Sequence, residues 1–314
     1  MKKLNKNCIV YGGGGFIGSH LCEELLNKGY DVTLFDKKSF SRDNIEHIED
    51  KIKIIEGDFN NEIDIKNSLK GMNYVFHLVS STLPASSNEN MVYDVESNLI
   101  SSIKLFKLCL NVKINKLVFL SSGGTVYGIP DIIPVKELYF SNPICSYGIV
   151  KRTIEEYLFL FSKISGLNYN VFRLANPYGE KQNPHAAQGA VAVFINKAIN
   201  NETIEIWGDG EVVRDYIYIK DAVSALTASI ITNSRESVFN LSSGKGYSLN
   251  QIIDIIKKVS GKEVKIKYKS ARNIDVPVSV LDNELLKKTF NWKPEIDIEE
   301  GINKTYHYLL NQNV

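Results

Sequence analysis

A glycine-rich turn between an apolar run and an amphipathic one constrains this chain more than any other feature. Residues 12–18 read GGGGFIG, with Gly12, Gly15 and Gly18 at G-x-x-G-x-x-G spacing. They follow the short β run Cys8–Tyr11. They open a stretch in which Phe16, Ile17, Leu21, Leu25 and Leu26 recur at helical spacing. A strand that turns on glycines into a helix lets backbone N–H groups approach a pyrophosphate with no side chain in the way. Gly12, Gly15, Phe16, Ile17 and Gly18 are therefore the candidate phosphate contacts. Asp36 ends the next β run, Asp31–Phe35, where an acid takes ribose hydroxyls. A glycine turn alone describes any tight bend, but the two features together predict a bound dinucleotide. A carboxylate repels a 2′-phosphate, so Asp36 favours NAD over NADP, while Lys37, Lys38 and Arg42 are near enough in sequence to hold that phosphate. Asp58, in Gly57-Asp58-Phe59 after a third β run, either caps the adenine or is an ordinary turn residue.

The alternation continues. Lys53–Glu56, Tyr74–Val79, Lys116–Ser121 and Asn170–Leu174 read as strands, with helical patterns at about Met91–Val112 and Tyr147–Ser165. Strands separated by helices imply parallel pairing through right-handed crossovers, and unalternating apolar runs imply strands covered on both faces. After Asn176 the pattern weakens: Pro177–Gln188 reads as a loop, Ile204–Trp207 and Val212–Ile219 as short strands, residues 250–260 and Asn283–Phe290 as helices. The fold class is α/β, a Rossmann-type doubly wound parallel sheet with a smaller mixed α/β C-terminal lobe. The division falls at 1–175 and 176–314, with some later segments returning to the first domain.

Composition removes other classes. With 37 basic and 36 acidic residues among 314, the formal net charge is +1, so no global field attracts nucleic acid or an anionic membrane. Cys8, Cys22, Cys109 and Cys145 lack CxxC spacing, which argues against a metal site and suits free thiols in a reducing cytoplasm. The apolar run in MKKLNKNCIVYGGGG is too short for a signal peptide, and no 18-residue apolar stretch offers a membrane span.

Tyr147 and Lys151 stand i, i+4 at the start of a helical pattern, so both project from one face. An ammonium about 4 Å from a phenolate stabilises it by roughly 4 kcal/mol at an effective dielectric near 20. That attraction draws the phenol toward use as a base near neutral pH. Spacing alone decides nothing: Tyr216 and Lys220 share it on a predicted strand, where the two side chains stand about 13 Å apart.

Taken together, the motifs resemble the extended short-chain dehydrogenase/reductase superfamily, in particular the nucleotide-sugar epimerase/dehydratase group typified by UDP-glucose 4-epimerase. GGGGFIG, Asp36, GDF at 57–59, FHLVS at 76–80, Asn98, SSGGTVYG at 121–128, Tyr147-x-x-x-Lys151, RLANPYG at 173–179, VVRDYIYIKD at 212–221 and RNIDVP at 272–277 fall in the group's order over nearly the whole chain. The resemblance implies that Asp58 and Phe59 hold the adenine, Leu78, Val79 and Ser80 line the cofactor, and Asn98 lies beneath it. It implies that Lys151 bonds the nicotinamide ribose, that Asn176 meets a nucleotide-diphosphate sugar, and that Arg214 and Arg272 grip its pyrophosphate. Guanidinium forks suit that last role. It also implies a homodimer built on the two long helices.

The sequence departs from the group at several points. Gly123 stands where a catalytic Ser or Thr is usual, leaving Ser122 or Thr125 to supply the hydroxyl. Gly124-Thr125 replace the Asp-Glu pair of the 4,6-dehydratases. Ser279 replaces a bulky residue that can close the sugar pocket in hexose epimerases, which predicts room for an N-acetylhexosamine. The implied activity is 4-epimerisation of a UDP-hexose or UDP-N-acetylhexosamine through a transient 4-keto sugar. The alternatives are a 4-dehydrogenase or 4-ketosugar reductase using the same residues and, more remotely, a non-catalytic NAD-binding sensor.

Overall fold

The computed structural model describes residues 6–232, 234–270 and 276–312. The first half alternates as its apolar runs require. Strands β1 (Asn7–Tyr11), β2 (Asp31–Asp36), β3 (Lys53–Glu56), β4 (Tyr74–His77), β5 (Lys116–Ser122) and β6 (Tyr169–Leu174) are interleaved with helices. These are α1 (Phe16–Asn27), α2 (Glu62–Ser68), α3 (Met91–Asp94), α4 (Ser101–Val112) and α5 (Ser146–Ser165). Helices α3 and α4 are joined without a break by a π-helical turn over Val95–Ile100, so the long helix expected from Met91 to Val112 is present but locally widened.

The later chain supplies β7 (Asn176–Tyr178), α6 (Ala190–Ile199), β8 (Ile204–Trp207), β9 (Val213–Tyr218), α7 (Ile219–Ile231) and β10 (Val238–Leu241). It continues with β11 (Gly246–Ser248), α8 (Leu249–Ser260), β12 (Ile266–Lys269), β13 (Val278–Ser279), α9 (Glu284–Phe290) and α10 (Ile298–Gln312). Seven strands form one sheet in the order β10-β6-β5-β4-β1-β2-β3, and the pairs from β3 through β5 are parallel. Strand order reverses between β1 and β4, the point at which doubly wound sheets leave a crevice beyond the strand ends. Ile9, Phe35, Val75, Phe106, Phe119 and Leu158 are among the buried residues of the core around this sheet.

The chain forms two compact units. The first runs to Gly128 and takes in Phe140–Arg173 and Val223–Phe239; the second comprises Ile129–Tyr139, Leu174–Ala222 and the chain from Asn240. In the second, β9 is flanked by β11 and β13 and also pairs β7, while β12 pairs β8 in parallel.

One strand assignment is corrected. Strand β9 ends at Tyr218, and Lys220 lies in the first turn of α7. Apolar residues continue through the junction as Ile217, Tyr218 and Ile219, all buried, so hydrophobicity does not mark the change of period. Cys8, Cys22 and Cys109 are buried and all four cysteines are free thiols. Among the described residues no helix is long and apolar enough to cross a membrane, and no cluster of His, Cys, Asp and Glu is arranged for a metal ion.

Candidate active site

The end of β1 and the end of β4 meet at the glycine turn. Leu78 N–H donates to the Tyr11 oxygen at 3.0 Å, and a Cβ on Gly12 would stand 3.3 Å from the Val79 nitrogen. Gly18, in the first turn of α1, lies so close to the turn that a Cβ would overlap the Gly12 carbonyl; only glycine lets the helix start there. Gly15 caps α1 without a side-chain bond, and no acidic residue occupies the first turn. The positive end of the helix is therefore bare of competing anions.

Asp36 stands beside this turn. Its carboxylate accepts from Gly14 N–H at 2.9 Å and from Lys37 N–H at 2.8 Å. Asp36 pairs with Glu56 in the β2–β3 register, and its own oxygen accepts from Gly57 N–H at 2.9 Å. That brings the exposed Asp58 close to Asp36. The ring of Phe59 points the other way, into the core, against Tyr11 and His77 with centroids at 5.5 and 5.0 Å. The Phe59 side chain is thus committed to the core, and any part of this residue in holding the adenine falls to its backbone. Arg42 is engaged by Glu49 and Glu56.

Helix α5 begins at Ser146 with no side-chain cap from its own N-cap residue, Cys145. Residues distant in sequence supply the missing acceptors. Ser146 N–H donates to Asn88 Oδ1 at 2.9 Å, Tyr147 N–H to Ser87 Oγ at 3.1 Å, and the Ser146 hydroxyl to Asp94 Oδ2 at 2.7 Å. Gly148 lets this first turn press on the preceding loop, since a Cβ there would stand 2.8 Å from the Thr125 oxygen. Ser80, three residues beyond β4, and Ser122, the last residue of β5, face the Tyr147 hydroxyl closely enough to draw its pKa down, while the Ser80 hydroxyl donates to the Thr82 oxygen at 3.2 Å. Thr125 Oγ1 is buried without a partner.

Lys151 is buried one turn further on. Its Nζ donates to the Leu120 oxygen at 3.0 Å and lies 4.9 Å from the Phe119 ring centroid and 5.6 Å from that of Tyr147. Burial brings the Lys151 pKa down to about 8, with Asp94 and Glu155 pulling it back up. Burial pushes Tyr147 up to about 12, against the pull of Ser80; Cys145 and Asp94 push it further up and Ser122 pulls it down. The expected drop toward neutrality is thus not found in the protein alone. Desolvation of the phenolate outweighs an ammonium that lies farther from the ring than 4 Å and spends a proton on Leu120.

Asn98 sits in the π-helical turn with its amide fully used. Its Oδ1 accepts from Ser81 N–H at 2.9 Å, and its Nδ2 donates to Asp94 Oδ1, also at 2.9 Å. It therefore anchors the loop after β4, which carries Ser80. Sequence reading overlooked Asp94, Ser87 and Asn88. The i, i+4 spacing of Asp94 and Asn98 was the available signal. His77, also overlooked, is fully buried between Phe59 and Phe119; its Nε2 bonds Ser102 at 2.8 Å. Burial and then Lys151 push its pKa well below the usual histidine range, so it is neutral.

In the second unit, Asn176 Nδ2 donates to the Asp215 oxygen at 3.1 Å. Arg214 donates to the oxygens of Val213 and Val276 at 2.9 and 2.6 Å, and Ser279 is its buried partner across the β9–β13 register. Arg272 lies outside the described residues.

Residues 8–242 match the NAD dependent epimerase/dehydratase family. This chain belongs to that family. The UDP-glucose 4-epimerase of Thermotoga maritima, solved with UDP-glucose, is 34% identical and superposes with a TM-score of 0.93 over 98% of this chain and 100% of its own. The UDP-N-acetylglucosamine 4-epimerase of Methanobrevibacter ruminantium M1, solved with UDP-N-acetylmuramic acid, is 32% identical with a TM-score of 0.92 over 98% and 99%. The dTDP-4-dehydro-6-deoxyglucose reductase of Escherichia coli is 30% identical over 316 residues, 97% of this chain and 98% of the relative. The family cofactor is NAD, and the residues present fit it: an uncapped helix start behind side-chain-free turns, an acid fixed at the end of β2, and a phenol and an ammonium beyond β4 and β5.

Proposed function

We propose that this chain is a nucleotide-sugar 4-epimerase that acts on a UDP-hexose or UDP-N-acetylhexosamine through a transient 4-keto sugar. The observation that carries the reading is the convergence on one side chain: Tyr147, at the start of α5, has its hydroxyl faced by Ser80 from beyond β4 and Ser122 from β5, with the Lys151 ammonium 5.6 Å from its ring centroid. The likeness to two UDP-sugar 4-epimerases along almost the whole chain supports the substrate class.

NAD, which the glycine turn, Asp36 and Lys151 would hold, would supply the acceptor and then the donor of the hydride exchanged at the sugar C4. Tyr147 takes the proton of the C4 hydroxyl while that oxygen becomes a carbonyl. Ser122 holds the phenolate by donating to it, and Lys151 stabilises its charge from behind the ring. Thr125 Oγ1, buried and unpaired, bonds the sugar oxygen in place of the hydroxyl missing at Gly123. Return of the proton from Tyr147 after the ketone has presented its other face yields the inverted alcohol with no net redox. Asp36 selects NAD, and Arg42, held by Glu49 and Glu56, is engaged away from a 2′-phosphate. Asn176, Arg214 and Arg272 bind the nucleotide and its pyrophosphate, and Ser279 leaves room for an N-acetyl group.

The test is incubation with UDP-glucose and UDP-N-acetylglucosamine, read by proton NMR of the sugar and by absorbance of reduced nicotinamide. Inversion at C4 without accumulation of reduced cofactor is expected. Steady accumulation would assign the first half-reaction alone, the oxidoreductase reading that the similarity to the E. coli reductase keeps in view.

The protein acts as a homodimer in this reading. Val92, Val95 and Ile100 on the α3–α4 helix and Ile149, Phe159, Leu160 and Ile164 on α5 are exposed apolar residues, more than a monomer leaves wet without reason. Sedimentation analysis at micromolar concentration checks the dimer. Its place is the cytoplasm, where four free thiols stay reduced.

A further inference from the structure

Asp94 has no solvent-exposed surface, yet among the described residues no cation touches it. Both carboxylate oxygens accept from neutral donors. Oδ1 takes the Thr82 hydroxyl at 2.6 Å and Asn98 Nδ2 at 2.9 Å; Oδ2 takes the Ser146 hydroxyl at 2.7 Å. Burying a carboxylate without a counter-charge is costly, and a chain has little reason to keep one where a neutral amide would tie the same loops. The three partners are informative. Thr82 belongs to the loop after β4 that carries Ser80, Asn98 anchors the same loop through Ser81, and Ser146 precedes Tyr147.

We propose that Asp94 is a positioning residue for proton transfer at Tyr147, fixing the first turn of α5 against the Ser80 loop and supplying the buried negative charge that keeps Lys151 an ammonium. This rests on the reading of Tyr147 as the group that takes the sugar proton. The charges facing Lys151 come from every element around it. Strand β4 offers His77, which is neutral; β5 offers only the Phe119 ring and the Leu120 oxygen; α5 offers Tyr147 and Glu155. Glu155 is itself claimed by Arg173 at 2.7 Å and Arg152 at 3.0 Å. The charge of Asp94 is the one not already paired; it acts against the burial that brings Lys151 down to about 8, and because the same charge pushes Tyr147 up, its service to proton transfer runs through Lys151 and the held helix start and not through a direct effect on the phenol.

The test compares Asp94→Asn and Ser146→Ala with the wild-type holoenzyme. Epimerisation rate, thermal midpoint and NAD retention are followed across pH, with Tyr147→Phe as a separate control. Asp94→Asn should retain NAD and move the alkaline fall of kcat to lower pH by about one pH unit or more, with a matching displacement in the pH dependence of the thermal midpoint. Ser146→Ala, which keeps the charge and loses the tie, should lower kcat about tenfold at all pH values, the size of one charge-assisted hydrogen bond, and leave the alkaline fall in place. An Asp94→Asn enzyme that loses rate equally at every pH, or a Ser146→Ala enzyme with unchanged kcat, overturns the proposal. If Asp94→Asn does not fold, the Ser146→Ala outcome alone decides. Full activity in Tyr147→Phe would instead remove the reading on which the proposal stands.

Discussion

Lys151 and Leu120 tie helix α5 to strand β5 through a 3.0 Å hydrogen bond from the ammonium to the main-chain oxygen. The cation is therefore fixed by the sheet and does not follow Tyr147 as a mobile side chain would. Its folded pKa, about 8, lies below the ordinary value of 10.5. Between those values the unfolded chain binds more protons, so this group makes stability rise with pH from about 8 to 10.5. Below pH 8 the cost of burying the ammonium is fully present, about 3 kcal/mol at most for that gap. Lys151→Met should accordingly raise the stability of the NAD-free protein at pH 7, with the gain shrinking above pH 8. Denaturant unfolding at pH 7 and pH 10 checks this; a loss of stability at pH 7 would contradict it.

In Tyr147→Phe the helix start, bonded through main chain and Ser146, stays intact. Turnover should fall by about 10²–10⁴-fold, the range of a general base, while NAD binding and the thermal midpoint hold. Rates and cofactor content measured on one preparation separate the two.

Gly18→Ala places a methyl against the Gly12 carbonyl. Backbone cannot yield as a side chain does, so a loss of about 1–3 kcal/mol is expected, together with weaker NAD binding. Calorimetry with and without added NAD reads both.

Glu155 and Arg173 are buried and bonded twice or more, with Ser121 donating to Glu155 at 2.5 Å and Arg173 donating to the Tyr127 hydroxyl at 2.8 Å. Glu155→Ala leaves a guanidinium buried without its anion and should cost about 3–5 kcal/mol. The double replacement with methionines should recover much of that loss. Urea unfolding of the three proteins tests the pair.

Ser279→Tyr should reduce kcat/KM for UDP-N-acetylglucosamine at least about tenfold, a steric loss of roughly 1.4 kcal/mol or more, and affect UDP-glucose less. Equal losses for both sugars would remove Ser279 from the control of specificity.

What was legible in the sequence was what neighbours in sequence decide. The strand–glycine–helix unit, the acid closing β2 and the i, i+4 pair at the start of α5 each lie within one or two elements, so spacing carries them. The capping of α5 is different. Ser146 meets Asp94 across 52 residues and Tyr147 meets Ser87 across 60, and no local pattern announces such contacts. The ionisation of Tyr147 escaped for the same reason, since its sign depends on how deeply the folded chain buries the ring. Lys220 escaped because apolar residues run unbroken through the end of β9 into α7, and only main-chain hydrogen bonding distinguishes the two periods there.

The widened turn at Val95–Ile100 has a consequence for how this stretch tolerates insertion and deletion. A regular helix advances about 100° with each residue. Because the π turn spends one residue more than an α turn on the same rotation, excising one residue there would restore the ordinary winding and leave Leu105, Phe106 and Cys109 facing the interior they fill, whereas excising one from α4 itself would swing those that follow away. The wide turn is thus the one stretch of this helix where losing a residue keeps both ends facing their partners.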